Sequence, residues 1–314
     1  MLLFRRTKQE PGWLAIGVFE DGMGLAHVQR IGAARPQVLR YEYHRIVPDD
    51  VDAWRKLRKD RHLERFNCTT LLNPGEYQML LVEAPNVPPA ELKSAIRWRV
   101  NDMLDYHVDD ATMDVLDIPA DKNAPSRQHS MYAVVARNEI LQKREALFEE
   151  AKIPLAVIDI PEMAQRNIAA CVEQEGRALA LLSFDEEGGL LTFTSGGELY
   201  LARHLEIGFK QLRDADEELQ RQFFERVTLE VQRSLDHFDH QYHYLALGNL
   251  VIAPLPAGIA LRDYLADNLY MPVEMLDLGA ALDFSAVPQL AEAEQQVQAF
   301  YVLGAALRQE GKAL

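Results

Sequence analysis

Four stretches of the 314-residue chain carry side chains whose type and spacing could do chemistry. In 234–244, His237, His240 and His243 stand three apart, and Asp236/His240 and Asp239/His243 stand four apart. Imidazoles on a helix could bind a metal, but steps of three rotate steadily around the axis. Zinc-binding helices usually place two ligands four apart and take a third from elsewhere. A solvated helix end with i,i+4 Asp–His pairs is the simpler expectation. Acidic side chains crowd two other places, Glu20-Asp21 and Asp185-Glu186-Glu187, each in a turn between apolar runs. Such carboxylates offer hard oxygens to Mg²⁺, and without a metal they repel phosphate. The fourth stretch is Arg97-Trp98-Arg99, an aromatic ring between two guanidiniums, a composition enriched at the centres of protein contacts. Packing of Trp98 beneath a neighbouring loop is the simpler expectation, because Trp is usually highly buried whatever its role. The chain has no GxSxG, P-loop or Rossmann glycine motif. Cys68 and Cys171 are far apart without CxxC spacing, as expected of structural thiols in a reducing compartment.

Elements of regular structure must position these residues. Leu14, Ile16 and Val18 alternate ahead of Asp21-Gly22, a favoured hairpin turn, and Leu25 and Val28 continue the apolar series, so 13–30 reads as a hairpin. Strand-like pieces follow at 37–46, 69–72 and 78–83. APNVPP then breaks the pattern, and Pro88-Pro89 suits the start of a helix running to about 104. Its apolar stripe is Leu92, Ile96, Val100 and Met103/Leu104, and Trp98 lies off it. A strand at 112–118, a surface loop at 121–130, a strand at 131–135, a helix at 138–152 and a strand at 155–160 follow. From 178 the opening pattern repeats, with strands at 178–184, 190–194 and 198–204 separated by glycine-rich turns. A long amphipathic helix at 215–243 comes next, with Phe224, Val227, Val231, Leu235, Phe238 and Tyr242 on one face. A strand at 245–252, a helix at 255–269, a strand at 273–276 and a last helix at 292–308 finish the chain. A meander plus helices, twice over, predicts an α/β protein of two related halves, 1–175 and 176–314, with a cleft between them.

Charge narrows the partners. With 33 Lys+Arg against 48 Asp+Glu the net charge is -15, which repels nucleic acid and anionic lipid. A protein or small-molecule partner is expected. The apolar run at 2–4 is shorter than a signal-peptide core of about 7–15 residues. The apolar stretch at 299–307 falls short of the roughly 20 residues that cross a bilayer. Phe4-Arg5-Arg6 reads as a terminal basic patch too slight to hold a lipid surface by itself.

Over residues 13–308 the chain resembles the actin-like ATPase superfamily, an α/β, ribonuclease H-like fold, and within it the pilus-assembly proteins of the PilM type. The likeness rests on LAIGVFEDGMGLAHV, where that family has its first phosphate hairpin, and on MLDYHVDDATMD after the inserted-subdomain helix. It rests further on VVARNEILQKREALFEEAKIPLAVIDIPEMAQRNIA, GELYLARHLEIG and the final FYVLGAALR. The resemblance implies an inserted subdomain at about 74–157. It also implies a Mg²⁺-directed carboxylate at the end of the first strand of each half. Laid on this chain those positions fall on Gly17 and Ser183, the family's basic residue in the next strand falls on Gly24, and the following glycine on Asp185. A two-residue shift, which returns to the same strand face, would give the second role to Asp185. The adenosine-side Gly-Gly is reduced to Gly248-Asn249, with Gly258 later in the chain. The expectation is a fold without hydrolysis, with no catalytic residue and no metal ligand; ATP and Mg²⁺, if held, would use Asp185, Gly248 and Asn249.

Proteins of the PilM type dock on an inner-membrane assembly platform by gripping the cytoplasmic N-terminal tail of a PilN-type membrane protein beside the inserted subdomain. The resemblance implies a cytoplasmic scaffold, peripheral at the inner membrane through a PilN-like partner and an assembly ATPase, with Arg97, Trp98 and Arg99 as partner-binding candidates. An active ATPase or sugar-kinase-like enzyme, a filament former and a GspL-like scaffold of type II secretion are the competing readings.

Overall fold

The computed structural model describes residues 9–32, 34–121 and 129–309. Phe4-Arg5-Arg6, and 122–128 of the expected loop, lie outside them. Alternating apolar residues form β1 (Trp13–Phe19) and β2 (Gly22–Gln29), which pair antiparallel with Gly17 opposite Gly24, and β3 (Gln37–His44) completes the meander. The next element, α1 (Val51–Arg61), was not signalled by the sequence pattern, because only Trp54 and Leu57 of its residues are buried. It is set by its cap: the Asp50 carboxylate accepts from the Asp52 and Ala53 N–H groups at 3.1 Å. The chain then enters β4 (Asn67–Leu71), parallel to β1.

An insertion follows. Strand β5 (Tyr77–Glu83), helix α2 (Pro89–Val100) and strands β6 (Ala111–Asp117) and β7 (Ser130–Arg137) form a three-stranded sheet, order β5-β7-β6. Helix α2 covers one face of it, since the Ile96 and Val100 positions of the stripe pack on Val82, Val115, Met131 and Ala133. The insertion closes at Arg137, not at 157. The apolar side of α3 (Asn138–Ala151) returns to the first half, where Phe148 meets Trp54 of α1 with ring centroids 5.2 Å apart, and β8 (Leu155–Asp159) pairs with β4.

After α4 (Pro161–Ala169) the second half repeats the first with β9 (Ala178–Phe184), β10 (Gly189–Ser195) and β11 (Glu198–Leu205). Helices α5 (Phe209–Asp214) and α6 (Glu217–Gln241) lead to β12 (Leu247–Ile252), α7 (Leu261–Asn268), β13 (Val273–Met275), α8 (Leu278–Ala281) and α9 (Ala293–Ala306). Helix α7 is shorter than the expected 255–269, because Pro254, Pro256 and Gly258, with φ +88°, break the first turns. The sheet orders are β3-β2-β1-β4-β8 and β11-β10-β9-β12-β13, the same path twice. Helices α4 and α9 pack against each other and, through one shared core, against both sheets. Their contact needs a glycine: a Cβ on Gly304 would lie 2.3 Å from the Ala164 carbonyl oxygen, while Asn167 Nδ2 donates to the Gly304 carbonyl at 2.9 Å. The apolar stretch at 299–307 is therefore core. Among the described residues no helix is long and apolar enough to cross a membrane.

Candidate functional site

The two hairpins meet at α9, where consecutive residues touch the two strand positions that the resemblance marks for carboxylates. At the first, a Cβ on Gly17 would lie 2.7 Å from Val302 Cγ2 and 2.9 Å from the Phe19 ring, so no side chain fits without displacing a buried wall. At the second, Ser183 is fully buried and its hydroxyl meets the Tyr301 hydroxyl at 2.7 Å and the Gln165 side-chain oxygen. Gln165 in turn donates to the Leu181 carbonyl at 2.7 Å and Thr192 Oγ1 at 2.9 Å. Burial, and after it the Asp185 charge, push the Tyr301 hydroxyl far above the usual phenol range, so it stays protonated. The residues present do not fit a Mg²⁺–phosphate group at these strand ends: one position is blocked by apolar side chains, the other spent on an internal hydrogen-bond network.

Beside this network lies a cavity of about 540 Å³ between the insertion and the second half, lined among others by Tyr77, Met79, Asp185, Arg203, His204 and Tyr301. Glu162, in the first turn of α4 and wholly buried, accepts from the Tyr77 hydroxyl at 2.6 Å and pairs with His204 Nε2 at 2.8 Å. The helix N-terminus favours that carboxylate. Its hydrogen bond raises the His204 pKa above the ordinary imidazole value. Burial, then the Glu162 charge, pushes the Tyr77 hydroxyl upward. One carboxylate thus fastens together the insertion, α4 and β11.

The structure does not bring Asp185, Gly248 and Asn249 together. Asp185 Oδ1 accepts from the Glu187 N–H at 2.9 Å and the Gly188 N–H at 2.7 Å, so the carboxylate shapes its own turn. Gly248 and Asn249 are not behind β12 but in its beginning, where the parallel register sets Leu247 beside Ala178. That end is seven residues, about 23 Å at roughly 3.3 Å per residue, from Asp185. Asn249 Nδ2 is committed to Glu274 at 2.9 Å. His237 and His240 line a hollow with His129, and among the described residues no group of three potential metal ligands assembles.

A second groove, of about 670 Å³, runs between the insertion and the first half. Leu155, Val157 and Ile158 of β8 line it together with Met113 and Val134 of the insertion sheet and Leu141 and Phe148 of α3. Among the described residues β8 is the outer strand, so one edge of its backbone has no ladder partner. At the rim Lys93 pairs with Asp114 at 2.6 Å, leaving Glu145 and Glu149 as the other charges of the lining. An apolar floor, an open strand edge and two carboxylates suit an extended apolar peptide with a basic end.

Trp98 lies off the buried stripe and is 80% exposed, not packed under a loop. Arg97 turns inward, donating to the carbonyls of Val108 and of Ala111, the latter at 3.2 Å, and Arg99 lies 3.8 Å from Glu83. None of the three lines the groove; Lys93, earlier on the same helix, does. The groove residues were not singled out from the sequence. Their only local signal is the apolar run at 155–160, and that does not say which strand ends up at an edge.

No protein-family model matches the chain, and a search of curated proteins returned no relative. Among solved structures, the chain is similar to one described as the PilM-PilN type IV pilus biogenesis complex, with TM-score 0.68 and 18% identity over 94% of this chain and 98% of that one. A Bacteroides thetaiotaomicron protein with an actin-like ATPase fold and unknown function aligns with TM-score 0.50 and 12% identity over 93% and 99% of the two chains. This is the actin-like ATPase fold. The cytoplasmic domain of EpsL, an inner-membrane component of the type II secretion system of Vibrio cholerae, aligns with TM-score 0.49 and 12% identity over 91% and 92%.

Proposed function

We propose that this actin-like chain is a non-enzymatic cytoplasmic scaffold of a type IV pilus assembly platform at the inner membrane, holding the cytoplasmic N-terminal tail of a PilN-like membrane protein in the groove along β8. The observation that carries this reading is the groove itself, an apolar trough with an unpaired strand edge, in a chain whose structural neighbour is a PilM-PilN complex. The motifs taken together favour the MshI protein of mannose-sensitive haemagglutinin (MSHA) pilus assembly as the specific counterpart. ATP and Mg²⁺ play no part in this reading, because Val302 and Tyr301 stand at the two strand ends. Arg97, Trp98 and Arg99 remain a proposed partner surface, of which Trp98 offers the exposed ring, suited to an assembly ATPase or other platform component.

Calorimetry with a synthetic tail peptide of a PilN-like protein tests the reading. Binding is expected, and Val157→Glu, which puts a charge on the groove floor, is expected to abolish it. Undiminished binding to Val157→Glu removes the groove from the proposal. Micromolar Mg-ATP binding with phosphate release removes its non-enzymatic part. If Trp98→Ala weakens the peptide, the tail site extends along α2; if not, Trp98 serves another component.

A further inference from the structure

We propose that the groove along β8 selects its tail by the spacing of two side chains: an apolar anchor enters at the Ile158–Ile160 end, and a Lys or Arg about two or four residues away seats on Glu145 or Glu149. This deepens, and rests on, the reading of the groove as the tail site. The axis of the groove is set by α3 and β8, antiparallel neighbours joined through residues 152–154. At one end Leu141 of α3 packs with Ile158 and Ile160 in a cluster that also holds Leu72 and Ala136. At the other, Phe148 packs with Ile153 and Leu155. From Leu141 to Glu149 the helix rises about 12 Å, and from Leu155 to Asp159 the strand rises about 13 Å, so the two walls keep step along the whole trough.

Charge is distributed unevenly along that axis. Leu141, Glu145, Phe148 and Glu149 share the groove side of α3, since they stand four, three and one apart on a helix. Glu145 lies about 6 Å along the axis from Leu141 and Glu149 about 12 Å, so the carboxylates begin where the apolar end stops. Both are exposed, and neither has an ion pair among the described residues. The nearby cations are already committed, Lys143 to Glu139 at 2.8 Å, Arg144 to Glu76 at 3.0 Å and Lys93, on the facing wall, to Asp114 at 2.6 Å. A peptide laid along the open edge of β8 advances about 3.3 Å per residue and turns alternate side chains to the same wall. A cation that shares the α3 wall with its apolar anchor therefore stands two residues from it to reach Glu145, or four to reach Glu149, but not three. An acidic residue in either place would face a carboxylate and be rejected.

The test is calorimetry on the full chain with synthetic tail peptides of a PilN-like protein, each carrying one lysine. The lysine is placed two, three or four residues from the apolar anchor, in one series on its N-terminal side and in another on its C-terminal side, because strand addition runs in either direction. In one series the peptides with spacings two and four are expected to bind at least about threefold tighter than the peptide with spacing three. Glu145→Lys/Glu149→Lys, changed at exposed positions, is expected to bind the lysine peptides about tenfold more weakly and to recover affinity for their Lys→Glu counterparts, which also shows that the variant is folded. With benzoylphenylalanine at the anchor, irradiation is expected to give adducts at Leu141 or within 158–160. Equal affinity at all three spacings, indifference to the charge reversal, or adducts confined to 148–155 would each overturn the selection and leave the tail site standing. No binding of any peptide to the native chain or the variant would sink the tail-site reading and the selection with it.

Discussion

Gly17 gives the sharpest access to the proposal that the first strand end has no room for a carboxylate and a metal-bound phosphate. The perturbation is a single methyl, Gly17→Ala. Its Cβ would sit 2.7 Å from Val302 Cγ2 and 2.9–3.0 Å from two atoms of the Phe19 ring. Carbon atoms pack best at about 3.5–4.0 Å, so the nearest contact lies about 1 Å inside that distance. Val302 is wholly buried on α9, the helix packed against α4 at Gly304, and cannot swing into solvent. Overpacking of this kind costs about 1–3 kcal/mol. In a chain of this size that corresponds to a fall in melting temperature of about 2–6 °C. The assay is urea denaturation of a double-mutant cycle with Val302→Ala, which opens the space the methyl needs. The two changes should be less damaging together than their sum, with a coupling of about 1–2 kcal/mol. Gly17→Asp should be destabilised at least as much and gain no Mg-ATP binding. A neutral Gly17→Ala with zero coupling would mean that the strand end has room for a carboxylate and a phosphate, and the blocked-hairpin reasoning would fall.

Tyr301→Phe removes the hydroxyl that meets Ser183 and should cost about 1 kcal/mol in urea denaturation; unchanged stability would show that the contact contributes nothing. His204 has a raised pKa in the folded chain, so its pair with Glu162 is fully stabilising below the unfolded imidazole value of about 6.5 and is lost as pH rises through the higher folded value. Thermal melts from pH 6 to 8.5 should show that decline, and His204→Gln should flatten it. Arg144, buried on α3, donates to the Leu71 carbonyl at 2.8 Å and pairs with Glu76 at 3.0 Å, so Arg144→Ala should cost about 2–3 kcal/mol, moderated by the partial exposure of Glu76. A loss under 0.5 kcal/mol by denaturation would refute that ranking.

Period-two and period-three-to-four patterns carried the architecture. The two meanders and the Ile96/Val100 stripe, with Trp98 off it, followed from local spacing, because a strand or helix face declares itself within a few residues; the exposure of Trp98 did not, since it depends on whether a loop covers the ring. What failed were relations between distant segments. Gly248-Asn249 looks like a turn after a strand, yet it follows Leu247, which pairs with Ala178, at the beginning of β12. The insertion's far boundary is not legible because α3 and β8 look alike whether they serve the insertion or the first half; Phe148 against Trp54 and the pairing of β8 with β4 place them in the first half. Glu162 had no local mark at all. Its two partners come from 85 residues before it and 42 after, a separation no spacing rule spans.

The same distant contacts hold the two halves and the insertion together. The halves are joined by Asn167 to Gly304 and by Arg308 to Asp159, Tyr301 to Ser183 fixes α9 within the second half, and the insertion is joined to both halves through Tyr77, Glu162 and His204. Buried networks with satisfied partners fix one arrangement, because breaking any member leaves a polar group without compensation. Asp159 is the last residue of β8, whose other residues floor the partner groove, so the Arg308 pair anchors that strand from α9. Groove and cleft therefore share β8, and the bonds that close the cleft also hold the groove in shape. A preformed groove spends little of its binding free energy on ordering itself. The polar residues at the cleft thus act on the groove as well: through β8 they hold the proposed tail site as a fixed surface.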